Sequence, residues 1–119
     1  MATFSKVILS GSASGRQIKV AATSTPGTTI HVVSTVVTEL DELWIWAVNT
    51  DTTRRVLTLE WGNVTSPDDT IPVPIEARDG KYLVISGEIL VGGASLTVRA
   101  FADAANVVMI SGHAIRIAG

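Results

Sequence analysis

The chain has 119 residues, of which 17% are charged, with a formal net charge of −2 at pH 7 and no cysteine. This length predicts a single domain over residues 1–119, and about a third of it is valine, isoleucine or threonine, whose branched side chains favour strands. The composition excludes disulfides and thiolate metal sites and lacks the basic surface that binds nucleic acid. Because 46% of the residues are hydrophobic, we expect an oligomer or a larger assembly rather than a soluble monomer.

The amino-terminal third is predicted to form three strands, since apolar and polar residues alternate there as in half-buried strands. The strands are Phe4–Ser10, Arg16–Ala22 and Thr28–Val33. Residues 1–6 lack the apolar stretch of a signal peptide, and no run approaches the roughly 20 apolar residues of a spanning helix. We therefore expect synthesis and folding in a cytoplasm, without insertion into a membrane. The next segment, 34–43, is predicted to be mainly loop, because two adjacent valines disfavour a helix there.

Residues 40–62 hold all three tryptophans and are predicted to form the central hairpin of an all-β domain. Two apolar runs, Leu43–Val48 and Val56–Trp61, flank a short polar link, which is a hairpin signal. In the second run Glu60 falls on the face opposite the apolar residues, so it should meet solvent or a polar contact.

The register of this hairpin has two solutions, and a slip of one residue exchanges the two faces. If Asn49 pairs with Arg54, Trp44 and Trp46 lie in the core, which is the solution we favour. If Asn49 pairs with Arg55, both tryptophans lie on the outer face, where another subunit or a ligand has to cover them.

The carboxy-terminal half is predicted to continue the pattern of short strands. In the strand 71–75 two prolines, two residues apart, remove N–H groups from the same side, which is typical of an edge strand. Further strands follow at Tyr82–Ile85, Glu88–Val91, Ser95–Phe101 and Asn106–Ile117. Gly112 within the last one indicates a bulge or a close backbone approach. About eight to ten strands with regular turns predict an antiparallel β-sandwich of the jelly-roll kind.

No constellation of chemical groups in the sequence predicts an enzyme or a metal site. His31 and His113 each stand alone within a strand, without a second ligand at metal-binding spacing. The pair Asp68-Asp69 is more typical of a turn than of a calcium site, and the G-x-S-x-G elbow of a serine nucleophile is absent. We therefore expect a protein without catalytic residues, metal or cofactor.

Four residues are candidates for contact with a partner or a neighbouring subunit: Phe4, Arg16, Trp44 and Trp46. Phe4 lies in a short amino-terminal strand that is suited to pair with an exposed edge of a neighbour. Arg16 follows the small-residue loop 11–15, and loops on a rigid sandwich often carry binding. The alternative for this end of the domain is an ordinary frayed terminus and loop.

Most of the chain consists of stretches whose pattern is shared with one class of proteins. The stretches are Leu9–Ser12, Ile18–Thr23, Pro26–His31, Glu42–Asn49, Leu57–Gly62, Val98–Phe101 and Asn106–Gly112. Together they resemble small virion proteins of tailed bacteriophages, of the capsid decoration (cement) type, which are often β-sandwich trimers. The resemblance implies a structural protein of the virion, assembled in the bacterial cytoplasm, that forms a homotrimer and binds the major capsid protein or other virion proteins. The alternative is a tail or head-fibre component in which Trp44 or Trp46 stacks on a sugar.

Overall fold

The computed structural model describes residues 2–118 of the chain, and these residues contain nine strands. They are β1 (Thr3–Ile8), β2 (Ile18–Lys19), β3 (Thr28–Val32), β4 (Glu39–Asn49), β5 (Arg55–Gly62), β6 (Thr70–Ile75), β7 (Tyr82–Val91), β8 (Thr97–Ala102) and β9 (Val108–Ala118). These residues include no helix that is long and apolar enough to cross a membrane.

The strands form two antiparallel sheets that pack face to face. The first sheet has the order β1-β9-β4-β7, with β2 also pairing with β9, and the second has the order β3-β8-β5-β6. Along the chain the pairs are nested, β1 with β9, β3 with β8, β4 with β7 and β5 with β6. A single long antiparallel ribbon that is rolled into two layers gives this nesting, which is the jelly-roll arrangement. The predicted fold class is therefore confirmed.

The core lies between the sheets and is filled by every second residue of each central strand. In β4 the inward residues are Leu43, Ile45 and Ala47, which are almost completely buried. Buried residues facing them from the second sheet are Ile30, Leu57, Leu59, Val98, Ala100 and Ala102. Each fully buried side chain of valine or leucine size contributes about 1.5–3 kcal/mol, so this inner layer supplies most of the drive to fold.

The predicted central hairpin does not form, because its two arms lie in different sheets. β4 pairs with β9 and β7, whereas β5 pairs with β6 and β8, so both predicted registers are wrong. Residues 50–54 cross from one sheet to the other instead. The side-chain amide of Asn49 holds this corner by donating to the carbonyl oxygens of Thr53 and Ile75. A polar link between two apolar runs has the same local pattern in a hairpin and in such a corner.

Two backbone predictions for the carboxy-terminal half are confirmed. β6, with its prolines at 72 and 74, is an edge strand of the second sheet. At Gly112 the pairing of β9 with β4 continues without a shift, and an added Cβ would lie 2.0 Å from the carbonyl oxygen of Trp44. Gly112 therefore marks a close backbone approach rather than a bulge.

Three strand predictions differ substantially from the structure. The predicted strand Arg16–Ala22 is reduced to the two residues of β2, and β4 begins at Glu39, inside the predicted loop. The two strands predicted on either side of Gly87 are one strand, β7, whose pairing with β4 skips that residue. Gly87 has a φ of 72°, so it provides a bulge within one strand rather than a break between two strands.

Candidate functional site

The outer face of the first sheet carries apolar side chains on all four of its long strands. Because the odd-numbered residues of β4 face the core, its even-numbered residues and their partners in register face outward. The outward apolar residues are Phe4, Ile8, Leu40, Trp44, Trp46, Val48, Leu83, Ile89, Val91, Met109, Ile115 and Ile117. We call this surface the apolar face.

Five of these side chains are among the most exposed large apolar groups of residues 2–118. They are Phe4 (66% exposed), Ile8 (51%), Leu83 (47%), Ile89 (51%) and Val91 (56%). Single exposed apolar residues are ordinary on a protein surface, but a continuous patch is typical of a site that another molecule covers.

Trp44 and Trp46 lie half-buried in the middle of the apolar face, so the favoured prediction of core tryptophans is wrong. The Trp44 Nε1–H donates to Oε2 of Glu42 at 2.9 Å, and the Trp46 ring is tilted against the His113 imidazole with 6.1 Å between centroids. β4 is apolar on both faces, and alternation alone cannot decide which set of residues faces inward. The tryptophans lie on the outer face, as in the alternative prediction, but β4 does not pair with β5 as that prediction required.

The apolar face includes a histidine that favours its neutral form. Burial lowers the pKa of His113, the positive charge of Lys6 lowers it further, and the negative charge of Glu42 opposes both effects. A lowered pKa keeps the imidazole neutral at pH 7. His113 therefore adds no positive charge to the centre of the face at that pH.

Arg16 lies at the border of the apolar face. With Ala13 and Gln17 it lines an open depression that extends to Met109, itself a residue of the apolar face. The loop before it is held by hydrogen bonds from the Arg16 N–H to the Ala13 carbonyl and from the Ser12 hydroxyl to the Arg16 carbonyl. Three of the four predicted contact residues thus share one face and the fourth adjoins it, while their contact with a partner stays a prediction.

The amino-terminal segment is part of the protein's own sheet. β1 pairs with β9 along its whole length, from Thr3 opposite Ala118 to Ile8 opposite His113. Residues 3–5 are therefore ordered in the chain itself, and Met1 lies outside the described residues. Because β1 is an edge strand, its outer side remains free within residues 2–118 to pair with another chain.

A buried polar network, which the sequence analysis missed, connects the two sheets. The carboxylate of Asp41 on β4 accepts two hydrogen bonds from Arg116 on β9, at 2.8 and 2.9 Å. It also accepts one from Nε2–H of His31 on β3, at 2.8 Å. The His31 Nδ1 accepts the backbone N–H of Ser10 at 3.1 Å, which places the ring proton on Nε2. The signal in the sequence was the position of Asp41, which is odd-numbered like the residues of β4 that face the core.

Hydrogen bonding keeps Asp41 ionised inside the protein. Burial by itself raises the pKa of Asp41, but the hydrogen bonds from Arg116 and His31 outweigh that effect, and the pKa lies below its ordinary value. The carboxylate in turn raises the pKa of Arg116. A buried charge that is paired in this way is satisfied, whereas an unpaired one is very costly.

The network contains a serine, a histidine and an aspartate, but their geometry differs from that of a nucleophilic triad. Ser10 contacts His31 through its backbone N–H, and the Ser10 hydroxyl oxygen accepts the N–H of Val32 at 2.6 Å. A triad needs the serine Oγ against the imidazole, so this arrangement holds the two sheets together.

The outer face of the second sheet mixes polar residues with apolar ones such as Val56 and Phe101, and it carries a small pocket. Glu60 on β5 lies there without solvent exposure, beneath the loop that contains Thr25 and Gly27. Its carboxylate accepts the Thr25 hydroxyl at 2.6 Å and the Gly27 N–H at 2.7 Å. The predicted polar contact of Glu60 is therefore confirmed.

Within residues 2–118, no group of three or more histidine and acidic side chains is placed to hold a metal ion. No protein-family model matches the sequence, and no curated protein matches it significantly.

Proposed function

We propose that this protein is a non-enzymatic structural component of a tailed-bacteriophage virion, a capsid decoration protein whose apolar face is covered by neighbouring copies of the chain and by the head. The observation that carries the proposal is the exposed apolar layer formed by β1, β9, β4 and β7. The resemblance of the sequence to small virion proteins supplies the class of particle.

The apolar face is large enough for a specific protein–protein contact, although it is smaller than one side of a standard one. Its longest strands have 11 residues, which at about 3.3 Å per residue and about 4.8 Å between strands gives roughly 500–700 Å² for four strands. A standard interface buries about 800 Å² on each partner. Burial of apolar area stabilises contact by roughly 25 cal/mol per Å² before the costs of association. Binding to the shell would therefore need no chemistry beyond this burial.

The surroundings of the tryptophans favour a protein partner over a sugar on this face. Directly across the strands, Trp44 faces Ser86 and His113, and Trp46 faces Leu83 and Ser111. The aliphatic side chains of Ile89 and Ile115 lie one pair further along, opposite Glu42. A sugar ring would occupy only this small area, whereas a protein partner would also cover the exposed apolar groups around it, Phe4, Ile8, Ile89 and Val91. The proposal therefore places decoration ahead of a tail or head-fibre component that stacks a sugar on Trp44 or Trp46.

In the proposed assembly, three copies form a homotrimer on the particle and contact the major capsid protein. Copy number in purified particles, from a stained gel, tests this position. Decoration requires hundreds of copies per particle, whereas a few to a few dozen would place the protein in a tail or a fibre.

A matched pair of variants tests the role of the apolar face itself. The double substitution Ile89→Ser and Val91→Ser removes exposed apolar groups from the face, and Val56→Ser makes the same change on the second sheet, where Val56 is 40% exposed. Each purified protein is added to particles that lack it. We expect occupancy to fall for the double variant and to stay unchanged for Val56→Ser. Equal occupancy for both would contradict the proposal.

A further inference from the structure

We propose that the pocket on the outer face of the second sheet binds carbohydrate and accommodates one sugar ring. We call it the threonine pocket, because three of its lining residues are Thr25, Thr58 and Thr70. It lies on the opposite side of the sandwich from the apolar face. The inference therefore goes beyond the proposed role in the shell and does not depend on it.

The size of the threonine pocket suits a small ligand. Its volume is about 270 Å³, just below the roughly 300–1,000 Å³ of sites that hold drug-sized molecules. A single sugar ring is smaller than such molecules. Val64, which lines the threonine pocket, also lines a neighbouring pocket of about 250 Å³ that includes Asn63 and Arg99. A second sugar unit therefore has a place beside the first.

The floor of the pocket combines an aromatic ring with a hydroxyl group. Phe101 on β8, Thr58 on β5 and Pro72 on β6 are direct neighbours across three strands, and all three line the pocket. A sugar ring has an apolar C–H face and a polar rim. Phe101 and Pro72 can pack against the C–H face, while Thr58 lies within reach of the rim.

The hydroxyl groups of the pocket offer different hydrogen-bonding roles. Thr25 donates its hydrogen to Glu60 at 2.6 Å and Thr70 donates to the Pro67 carbonyl at 3.3 Å, so toward a ligand both oxygens act as acceptors. The hydroxyls of Thr58 and Ser66 line the pocket without a hydrogen bond to another group of residues 2–118, and each can donate as well as accept. Neighbouring sugar hydroxyls need this mixture.

Glu60 positions the wall of the pocket. It is inaccessible to solvent, and its two oxygens accept the Thr25 hydroxyl and the Gly27 N–H. Hydrogen bonds to a carboxylate are stronger than neutral ones, so the loop at 25–27 is held in place before a ligand arrives. With both oxygens occupied and no second carboxylate in the pocket, the site suits a neutral polyol better than a metal ion.

The test measures saturation transfer by NMR from the full-length protein to a panel of glucose, galactose, mannose, rhamnose and N-acetylglucosamine. We expect transfer to the ring protons of at least one of these sugars. The absence of transfer to all five at millimolar concentration would overturn the proposal.

Variants locate the site and separate binding from folding. Phe101→Ala removes the aromatic floor, and Thr58→Val removes one hydroxyl while it keeps the shape of the side chain. Both should lose most of the transfer, whereas Val56→Ser, on the same sheet but outside the pocket, should retain it. Thermal unfolding checks that each variant is folded. If Phe101→Ala does not fold, the transfer measured for Thr58→Val tests the site by itself. Transfer that persists in folded Thr58→Val and Phe101→Ala would also refute the site.

Discussion

The two outer faces of the sandwich differ far more than the two inner ones. The buried inward residues of β4 and β5 are apolar, apart from Asp41 in its network and Asn49 at the corner between the sheets. Outward, β4 presents Trp44, Trp46 and Val48, whereas β5 presents Val56, Thr58 and Glu60. Folding requires only the inner layer, so the outer residues are free to serve binding. An apolar outer layer opposes solubility, and because it is more extensive on the first sheet we expect that sheet to be the covered one.

The largest expected effect separates the inner from the outer residues of one strand. Ile45→Ala leaves a cavity between the sheets and should lower the free energy of unfolding by about 2–5 kcal/mol. Trp46→Ala removes a larger side chain, but its ring is only half-buried, so the monomer should lose less. Urea denaturation of both variants at a concentration where the protein is monomeric measures the difference. A larger loss for Trp46→Ala would place that indole in the core after all.

The next effect concerns the link between the two sheets. Removing one partner of a buried ion pair lowers the free energy of unfolding by about 3–5 kcal/mol. Because Arg116 is 29% exposed, the loss for Arg116→Met should lie at or below the lower end of this range. The lowered pKa of Asp41 sets the sign of the pH dependence. Its contribution is complete above the ordinary value of 3.8 and is lost as the pH falls through the lowered pKa.

Thermal unfolding between pH 7 and pH 2 tests this sign, with Asp41→Asn as the comparison. The stability of the wild type should fall more steeply with acid than that of the variant. Parallel curves would show that Asp41 does not contribute to acid sensitivity.

Sequence patterns predicted the sandwich well because its strands are locally encoded. The prolines at 72 and 74 restrict β6 to an edge, and Gly112 marks the place where two backbones meet. Both signals act through the backbone of a single residue, so they do not depend on which strand lies beside it.

Pairing and function were less predictable because they depend on distant residues. β4 is apolar on both faces, and only its register with β9, about 65 residues away, decides that Trp44 and Trp46 face outward. The network of Asp41 joins residues up to 75 positions apart, and the threonine pocket gathers side chains from positions 25 to 101. No local pattern indicates these encounters. The parity of Asp41 within its strand was the one clue available.

Substitutions at the edge of the apolar face should have a small effect on the stability of the folded monomer and a large effect on association. The double variant Ile89→Ser and Val91→Ser should change the free energy of unfolding little, since surface substitutions usually stay within about 0.5 kcal/mol each. Light scattering should give a trimer of the 12.5 kDa chain for the wild type and for Val56→Ser, and a monomer for the double variant. A wild type that remains monomeric at high micromolar concentration, without threefold contacts on the particle, would refute the trimer.

The smallest expected effect is a pH dependence of that association, through the histidine at the centre of the apolar face. The pKa of His113 is already lowered by burial and by Lys6, against the opposing charge of Glu42. A partner that covers the face removes more solvent and lowers it further. Association then requires the neutral imidazole. It should be complete above the ordinary value of 6.5 and weaken as the pH falls through the lowered pKa of the free protein.

The variant His113→Gln isolates this contribution, because glutamine is neutral at every pH while His31 is unchanged. Sedimentation velocity over a descending series of pH values should show that association of the wild type weakens with acid and that association of the variant weakens less. Each unit by which the partner lowers the pKa corresponds to about 1.4 kcal/mol, or roughly tenfold in the association constant. If both proteins respond equally to acid, His113 lies outside the interface, and the covered area must be sought toward Leu83 and Val91 at the β7 edge.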